Sequence, residues 1–223
     1  LITIEGYAPD YVGKTITVNE IEDYISMKES TIASTSVGLD STFKVSFYIT
    51  ETQKLSIQAN NNKSFLYVQP NPKGKYDLFF PATDKYGITR PAGSELEITF
   101  FGLDSTDINF RILEFQRWMD KFLGTYYYLK SIKPIEFATK MDEFKNNVEK
   151  YYNIPDTTNL TDAQIFFKNY VRFSFATMDN IQFAAERNRY EKHDFYIKFS
   201  PVEYRNDAYM DYINSFYDHM IPR

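Results

Sequence analysis

The side chains that could do chemistry are few and poorly placed for it. The chain has 223 residues, two of them histidine and none cysteine. Without cysteine there is no disulfide, no thiol nucleophile and no cysteine-ligated zinc. His193-Asp194 and Asp218-His219 are the only histidine and carboxylate neighbours. Such a pair could begin a general-base dyad, but adjacent residues on one helix do not face each other. His219 reads as a helix-end histidine favoured by the C-terminal dipole, and His193 belongs to a polar run at 186–194 that ends a helix. Glu20, Glu22 and Asp23 offer oxygen ligands. A calcium loop, however, needs carboxylates at alternate positions, a glycine at the sharp turn and a distal bidentate glutamate. That spacing is missing, and the three acids read as a solvated strand end. Gly6 and Gly13 precede no helix, unlike a phosphate-cradling loop, and no serine sits in a nucleophile elbow. The residues thus nominate no catalytic, cofactor-binding or metal-binding group.

Aromatic rings are what the chain has in quantity: 20 Phe, 19 Tyr and 1 Trp, together 18% of the sequence. Stacked rings bind sugars and single-stranded bases, and exposed tyrosines serve protein interfaces. Trp118 and the run Tyr126, Tyr127, Tyr128 are the leading candidates for partner contacts, with Tyr151-Tyr152 beside them. Three consecutive tyrosines on a helix point in three directions, so at least one reaches solvent or a partner. Most other rings share stripes with Ile and Met and read as core. Charge is balanced: residues 1–103 carry 9 basic and 12 acidic side chains, residues 104–223 carry 16 and 18. No basic face forms to hold a phosphate backbone, which excludes nucleic acid as a partner. No apolar run approaches the roughly 18 to 20 residues of a membrane span.

The elements that carry these residues fall into two halves, an α+β organisation. Over residues 1–101 the apolar period is two: Ile2, Ile4 and Gly6; Ile16 and Val18; Ile32 and Val37; Phe43, Val45, Phe47 and Ile49; Leu55 and Ile57; Phe65 and Tyr67; Leu96, Ile98 and Phe100. Turn residues separate the runs, as in Ala8-Pro9-Asp10, Gly38-Leu39-Asp40-Ser41 and Asn60-Asn61-Asn62. Seven or eight short strands predict an antiparallel β-sandwich domain over 1–103. After Gly102 the period becomes 3.6. Ile108, Ile112, Phe115, Met119 and Phe122 mark one helix, and Phe137, Met141, Phe144, Val148 and Tyr151 a second opening at Pro134. Thr161-Asp-Ala-Gln164 is a capping box for a third helix running to about residue 189. Asn206-Asp207 starts a fourth through Tyr209, Tyr212, Ile213, Phe216, Tyr217 and Met220. The alternating segment 193–199 predicts a short extended connector. The second domain, 104–223, is therefore helical with about four helices, and a Gly-Leu-Asp-Ser-Thr-Asp linker at 102–107 joins it to the first.

The order of strand motifs resembles a known family. Thr3-Ile-Glu-Gly6, Gly13-Lys-Thr-Ile-Thr-Val18, Ala33-Ser-Thr35, Asp40-Ser-Thr-Phe43 before Phe47, and Phe65-Leu-Tyr-Val-Gln-Pro70 ahead of Tyr76 are similar to the N-terminal β-domain of Bacteroidetes thioredoxin-like envelope lipoproteins. Tyr204-Arg-Asn-Asp-Ala-Tyr209, leading to Phe216-Tyr217, resembles the helical region that follows in that family. The family's catalytic Cys-x-x-Cys has no counterpart, its usual turn glycine is replaced at Ser41-Thr42, and a second is displaced to Gly74.

The resemblance implies a lipid-anchored protein of the cell envelope, in the periplasm or at the outer membrane, with the anchoring cysteine upstream of Leu1 and further sequence beyond Arg223. It implies a non-catalytic binding or scaffold region that docks protein partners there, with no cofactor. The alternative is the front portion of a thioredoxin-like thiol-disulfide oxidoreductase whose active domain lies after Arg223, and a third reading is a glycan-binding module. It also implies O-linked glycans at Ser41, Ser105 and Thr157, within Asp40-Ser41-Thr42, Asp104-Ser105-Thr106 and Asp156-Thr157-Thr158. The same tripeptides are equally ordinary turn and capping chemistry.

Overall fold

The computed structural model describes residues 1–60, 62–70, 74–81, 96–153, 160–182 and 189–218. It is an α+β chain of two compact units, Leu1–Phe110 and Arg111–Arg223. The division lies a few residues past the expected linker, within the first turn of a long helix.

The first unit holds two four-stranded sheets built from β1 (Ile2–Tyr7), β2 (Thr15–Asp23), β3 (Lys28–Ser36), β4 (Thr42–Phe47), β5 (Gln53–Ala59), β6 (Asn62–Val68), β7 (Lys75–Phe79) and β8 (Thr99–Phe101). One sheet has the order β4-β1-β7-β8, the other β3-β2-β5-β6. Neighbouring strands run antiparallel except β1 and β7, which are parallel. Five strands, β4 of the same sheet and four of the opposite one, separate those two in sequence, so no hairpin dictates their sense. Alternation is strict on β4, where Phe43, Val45 and Phe47 are buried and Thr42, Lys44 and Ser46 are exposed. Gly6 pairs with Phe43 across β1 and β4. A Cβ there would stand 2.6 Å from both the Phe43 ring and the Leu78 carbonyl, so the ring occupies the space a side chain would need.

On β6 the inward face is the reverse of the sequence expectation. Leu66 and Val68 join the core, while Phe65 and Tyr67 lie on the other face. The register explains it: Leu66 pairs with Leu55 and Val68 with Gln53, and Leu55 faces inward with Ile57. A one-residue shift in reading moves every side chain to the opposite face. Both edges of this sheet are blunted. The buried Asn109 amide accepts from the Tyr67 N–H at 2.7 Å and donates to the Tyr67 carbonyl at 2.8 Å, as an added strand residue would. At the other edge β3 is bulged at Ile32, between Thr31 and Ala33, which bends the ladder away from further pairing.

The second unit contains α1 (Ile108–Tyr126), which begins in the first unit, then α2 (Leu129–Ile132), α3 (Pro134–Tyr152), α4 (Asp162–Gln182), α5 (Arg189–Tyr196) and α6 (Asp207–Tyr217). The expected caps are present. Thr161 and Gln164 exchange hydrogen bonds at 2.8 Å and 3.3 Å, and the Asn206 side chain accepts from the Tyr209 N–H at 3.2 Å. Pro134 opens α3, and Asn153 closes it in a left-handed conformation. Ile112, Phe115, Phe122, Phe137, Met141, Val148, Phe167, Phe173 and Tyr212 are buried as their spacing predicts. Phe115 is the hub, edge-on to Phe167, Tyr170 and Phe175 at 6.4, 6.1 and 5.9 Å.

Two expectations fail in this unit. The segment 193–199 is not extended: α5 covers its first part, because Tyr196 is its one deeply buried ring while Phe195 and Phe199 stand in solvent. Tyr151 leaves the α3 stripe for the surface and Tyr152 takes the inner position, edge-on to Phe167 at 4.8 Å. The short α2 and α5 raise the helix number above the expected four.

Candidate binding surfaces

The expected aromatic contacts separate into two kinds. Trp118 and Tyr126 are half-buried and engaged in packing. Trp118 lies against Tyr151 and Tyr152 at 4.7 and 6.1 Å, and Tyr126 against Phe122 at 5.4 Å. One helical turn before Trp118, the two Glu114 oxygens accept from the Tyr151 and Tyr152 hydroxyls at 3.0 and 3.1 Å. Burial, reinforced by the Glu114 charge, pushes the Tyr152 hydroxyl well above the ordinary tyrosine range. Glu114 and Trp118 thus clasp α1 to α3.

Tyr127 and Tyr128 behave differently. α1 ends at Tyr126, so the tyrosine run straddles a helix end and its last two rings project, 51% and 62% exposed. Ile132 and Ile135 follow at 66% and 83% exposed, giving four large apolar side chains within nine positions at the α1–α2–α3 corner. Sequence reasoning found the tyrosines but not the isoleucines. The signal for the latter was α2, too short to bury one face.

A cleft of about 870 Å³ lies between α3, α4 and α5. Its floor is one face of α4, on which Lys168, Val171, Arg172, Phe175 and Asp179 recur at helical spacing. Val171, Phe175 and Asp179 are buried. Asp179 receives hydrogen bonds from Lys145 of α3 on one oxygen and from the Tyr196 hydroxyl of α5 on the other. Lys145 also stands 5.8 Å from the Phe175 ring. Glu149, Glu191 and Phe195 form the exposed rim. None of this cleft was anticipated. Its signal was a second apolar stripe on α4 that ends in a carboxylate.

The remaining candidates resolve locally. His193 Nδ1 lies 3.2 Å from Asp194 Oδ1, so these neighbours do meet, at the surface, and Asp194 also accepts from Lys198 at 3.2 Å. The His193 and Lys198 bonds hold the Asp194 carboxyl below its usual range. His219 and Thr157 lie outside the described residues. Glu22 pairs with Lys28 at 2.5 Å, and Asp23 accepts from the Ile25 and Ser26 N–H groups at 2.8 and 3.2 Å, closing the β2–β3 turn. The two Asp-Ser-Thr tripeptides fold alike. Asp40 Oδ1 accepts from the Thr42 N–H and hydroxyl at 3.1 and 2.8 Å, and Asp104 Oδ1 from those of Thr106 at 2.7 and 2.6 Å. Neither Ser41 nor Ser105 lends its hydroxyl to these turns. Ser105 is exposed, and Ser41 is half-buried at a left-handed φ of 66°. Among the described residues no group of three or more His, Cys, Asp or Glu side chains could hold a metal ion, and no helix is long and apolar enough to cross a membrane.

No family model, no curated protein and no solved structure matches the chain.

Proposed function

We propose that the chain is a binding or scaffold region of a cell-envelope protein, and that it docks a protein partner through the corner formed by Tyr127, Tyr128, Ile132 and Ile135. One observation carries the reading. Four large apolar side chains, each more than half exposed, fall within nine sequence positions spanning the end of α1, α2 and the start of α3. Tyrosine at such a patch supplies large contact area at little conformational cost and is enriched where interfaces concentrate their binding energy. Scattered single hydrophobics need no explanation, but exposed ones concentrated in so short a stretch do. The envelope location rests on the strand-motif resemblance alone.

The test is a photo-crosslinking residue at position 128, introduced into the protein in its native host. A single discrete adduct is expected, lost when Tyr127→Ala and Ile132→Asp are added and not formed from a probe placed at the exposed Lys150. An adduct from position 150 of equal yield, or none from position 128, overturns the assignment. The acceptor role of Ser41 and Ser105 is part of the same proposal, supported by hydroxyls that the Asp-Ser-Thr turns leave unused. Intact mass of native-source protein equal to the polypeptide alone would dismiss it; equal increments removed stepwise by Ser41→Ala and Ser105→Ala would support it.

A further inference from the structure

We propose that the solvent face of the β4-β1-β7-β8 sheet binds a neutral oligosaccharide, at a site separate from the protein-docking corner. Strand register assembles the site. Tyr7 of β1 pairs with Thr42 of β4 on one side and with Phe79 of β7 on the other. Two residues earlier on β1, Glu5 pairs with Lys44 of β4 and Asp77 of β7, and Asp77 pairs in turn with Phe101 of β8. Residues two apart on a strand share a face, so these side chains lie together, opposite the inward-facing Ile4, Val45 and Leu78. Directly paired and diagonal side chains of a sheet are within reach of one another, and the Tyr7 and Phe79 ring centres are 6.1 Å apart. Tyr7 is 45% exposed and Phe101 56%. A hollow of about 800 Å³, lined by Glu5, Tyr7, Lys44, Asp77 and Phe101, lies in the range of small-molecule sites.

The charges beside the rings favour a neutral ligand. One Glu5 oxygen accepts from Lys44 at 2.7 Å and the other from Lys75 at 3.0 Å, while Lys75 also reaches Asp77 at 3.3 Å. Two acids and two lysines cancel, so this grid has no net charge with which to attract an ion. All four side chains stay open to water, the least exposed being Glu5 at 31%. A carboxylate offers about four lone-pair sites and an ammonium three donors, so the pairs leave acceptors and donors turned to solvent.

A sugar matches both parts of the face. The C–H side of a pyranose ring suits the negative face of an aromatic ring, and its rim hydroxyls, which donate and accept as water does, replace the displaced water bond for bond. A protein partner would instead desolvate four charges at the centre of the contact, where interfaces are depleted of charge. Strands stand about 4.8 Å apart, so β1 to β8 spans about 10 Å, room for about two sugar rings.

The test is calorimetric titration of the whole chain with three neutral oligomers, cellohexaose, xylohexaose and mannohexaose, and with the acidic hexagalacturonate. At least one neutral oligomer is expected to bind saturably at one per chain, with hexagalacturonate at least tenfold weaker. Stacking on an exposed ring is worth about tenfold or more, so Phe101→Ala and Tyr7→Ala should each weaken the neutral oligomer by about that factor. Asp77→Ala should weaken it while leaving every ring in place. Phe199→Ala removes an exposed ring from the helical unit and should leave the affinity unchanged. Binding of none of the three neutral oligomers, equal or tighter binding of hexagalacturonate, unchanged affinity in Phe101→Ala and Tyr7→Ala, or an equal loss in Phe199→Ala each overturns the proposal. None of these results bears on the crosslink at position 128.

Discussion

The two units bury comparable numbers of apolar side chains but build their cores from different material. Among the described residues, seven of the 24 buried hydrophobics in the first unit are aromatic: Tyr11, Tyr24, Phe43, Phe47, Tyr67, Tyr76 and Phe80. In the second, 11 of 20 are, from Phe115 through Tyr212. Strands about 4.8 Å apart present a dense array of side chains, and branched aliphatics such as Ile16, Val18, Leu55 and Ile57 fill the space between sheets. In the helical unit bulky rings, such as those edge-on to Phe115, fill the space between helices. The consequence is chemical. Tyrosine brings a hydroxyl into the core with each ring, and every hydroxyl needs a partner. Tyr170 receives a bond from Gln116 at 2.8 Å and Tyr196 donates to Asp179, but Tyr212, fully buried, has no partner for its hydroxyl among the described residues.

The largest test of this contrast truncates one hub in each core. Phe115 is 0% exposed and Phe47 5%. Each substitution to Ala should cost about 3 to 5 kcal/mol, with Phe115→Ala at the upper end because three edge-on ring pairs are lost together with the buried area. Urea denaturation measures both, and Trp118, the only tryptophan, reports on the helical unit by fluorescence. A Phe115→Ala loss smaller than that of Phe47→Ala would contradict the view that the aromatic core is organised around one ring. Next in size is Asp179→Ala, which strands the Lys145 ammonium and the Tyr196 hydroxyl. Removing one partner of a buried pair costs about 3 kcal/mol or more. Breaking the exposed Lys140–Glu143 pair by Glu143→Ala should leave the urea midpoint unmoved, although that contact, at 2.7 Å, is a good one. Equal effects would mean that Asp179 is solvated like a surface carboxylate.

Legibility followed the same division. The β4 alternation, the Thr161–Gln164 box and the Asn206 cap were readable because each is decided by neighbours in sequence. The β6 face was misread because Phe65-Leu66-Tyr67-Val68 is apolar at every position, so period two carries no phase, and only pairing with Leu55 sets it. The α5 segment failed for a related reason: alternation at Phe195, Ile197 and Phe199 imitates a strand, while the long-range bond of Tyr196 to Asp179 was invisible. At the docking corner Tyr127 and Tyr128 were legible as a run, but their exposure depends on where α1 stops. The cleft was not legible, because its Lys145, Asp179 and Tyr196 come from three helices and are ordinary residues in their own segments.

A smaller effect is expected in the sandwich. Gly6→Ala places a methyl 2.6 Å from the Phe43 ring and from the Leu78 carbonyl, which belongs to a neighbouring strand and cannot move alone. Overpacking of this kind costs about 1 to 3 kcal/mol. Gly124→Ala on α1, where nothing lies within 4 Å, should stabilise through helix propensity. If both changes are neutral, the close approach at Gly6 is not a packing constraint.

The smallest effect carries the opposite sign. The Tyr212 ring is fully buried and packs on Phe173 and Tyr196 at 5.9 and 5.4 Å, but its hydroxyl has no hydrogen-bond partner among the described residues. Phenylalanine preserves the ring and removes the unpaired group, so Tyr212→Phe should stabilise the chain by about 1 kcal/mol at neutral pH. The alkaline range sharpens the test. Burial, with the Asp179 charge adding to it, raises the Tyr212 hydroxyl from its usual 10.0 to about 12. The folded chain therefore keeps a proton that the unfolded chain releases as pH rises above 10. Stability associated with that proton is complete below pH 10 and is lost as pH climbs towards 12. Tyr212→Phe removes this loss, so its advantage over the parent should widen between pH 10 and 12 in urea midpoints. An advantage that is absent at pH 7, or that narrows across that window, would show that the hydroxyl is hydrogen-bonded in the folded chain and that the aromatic core has satisfied all of its polar atoms.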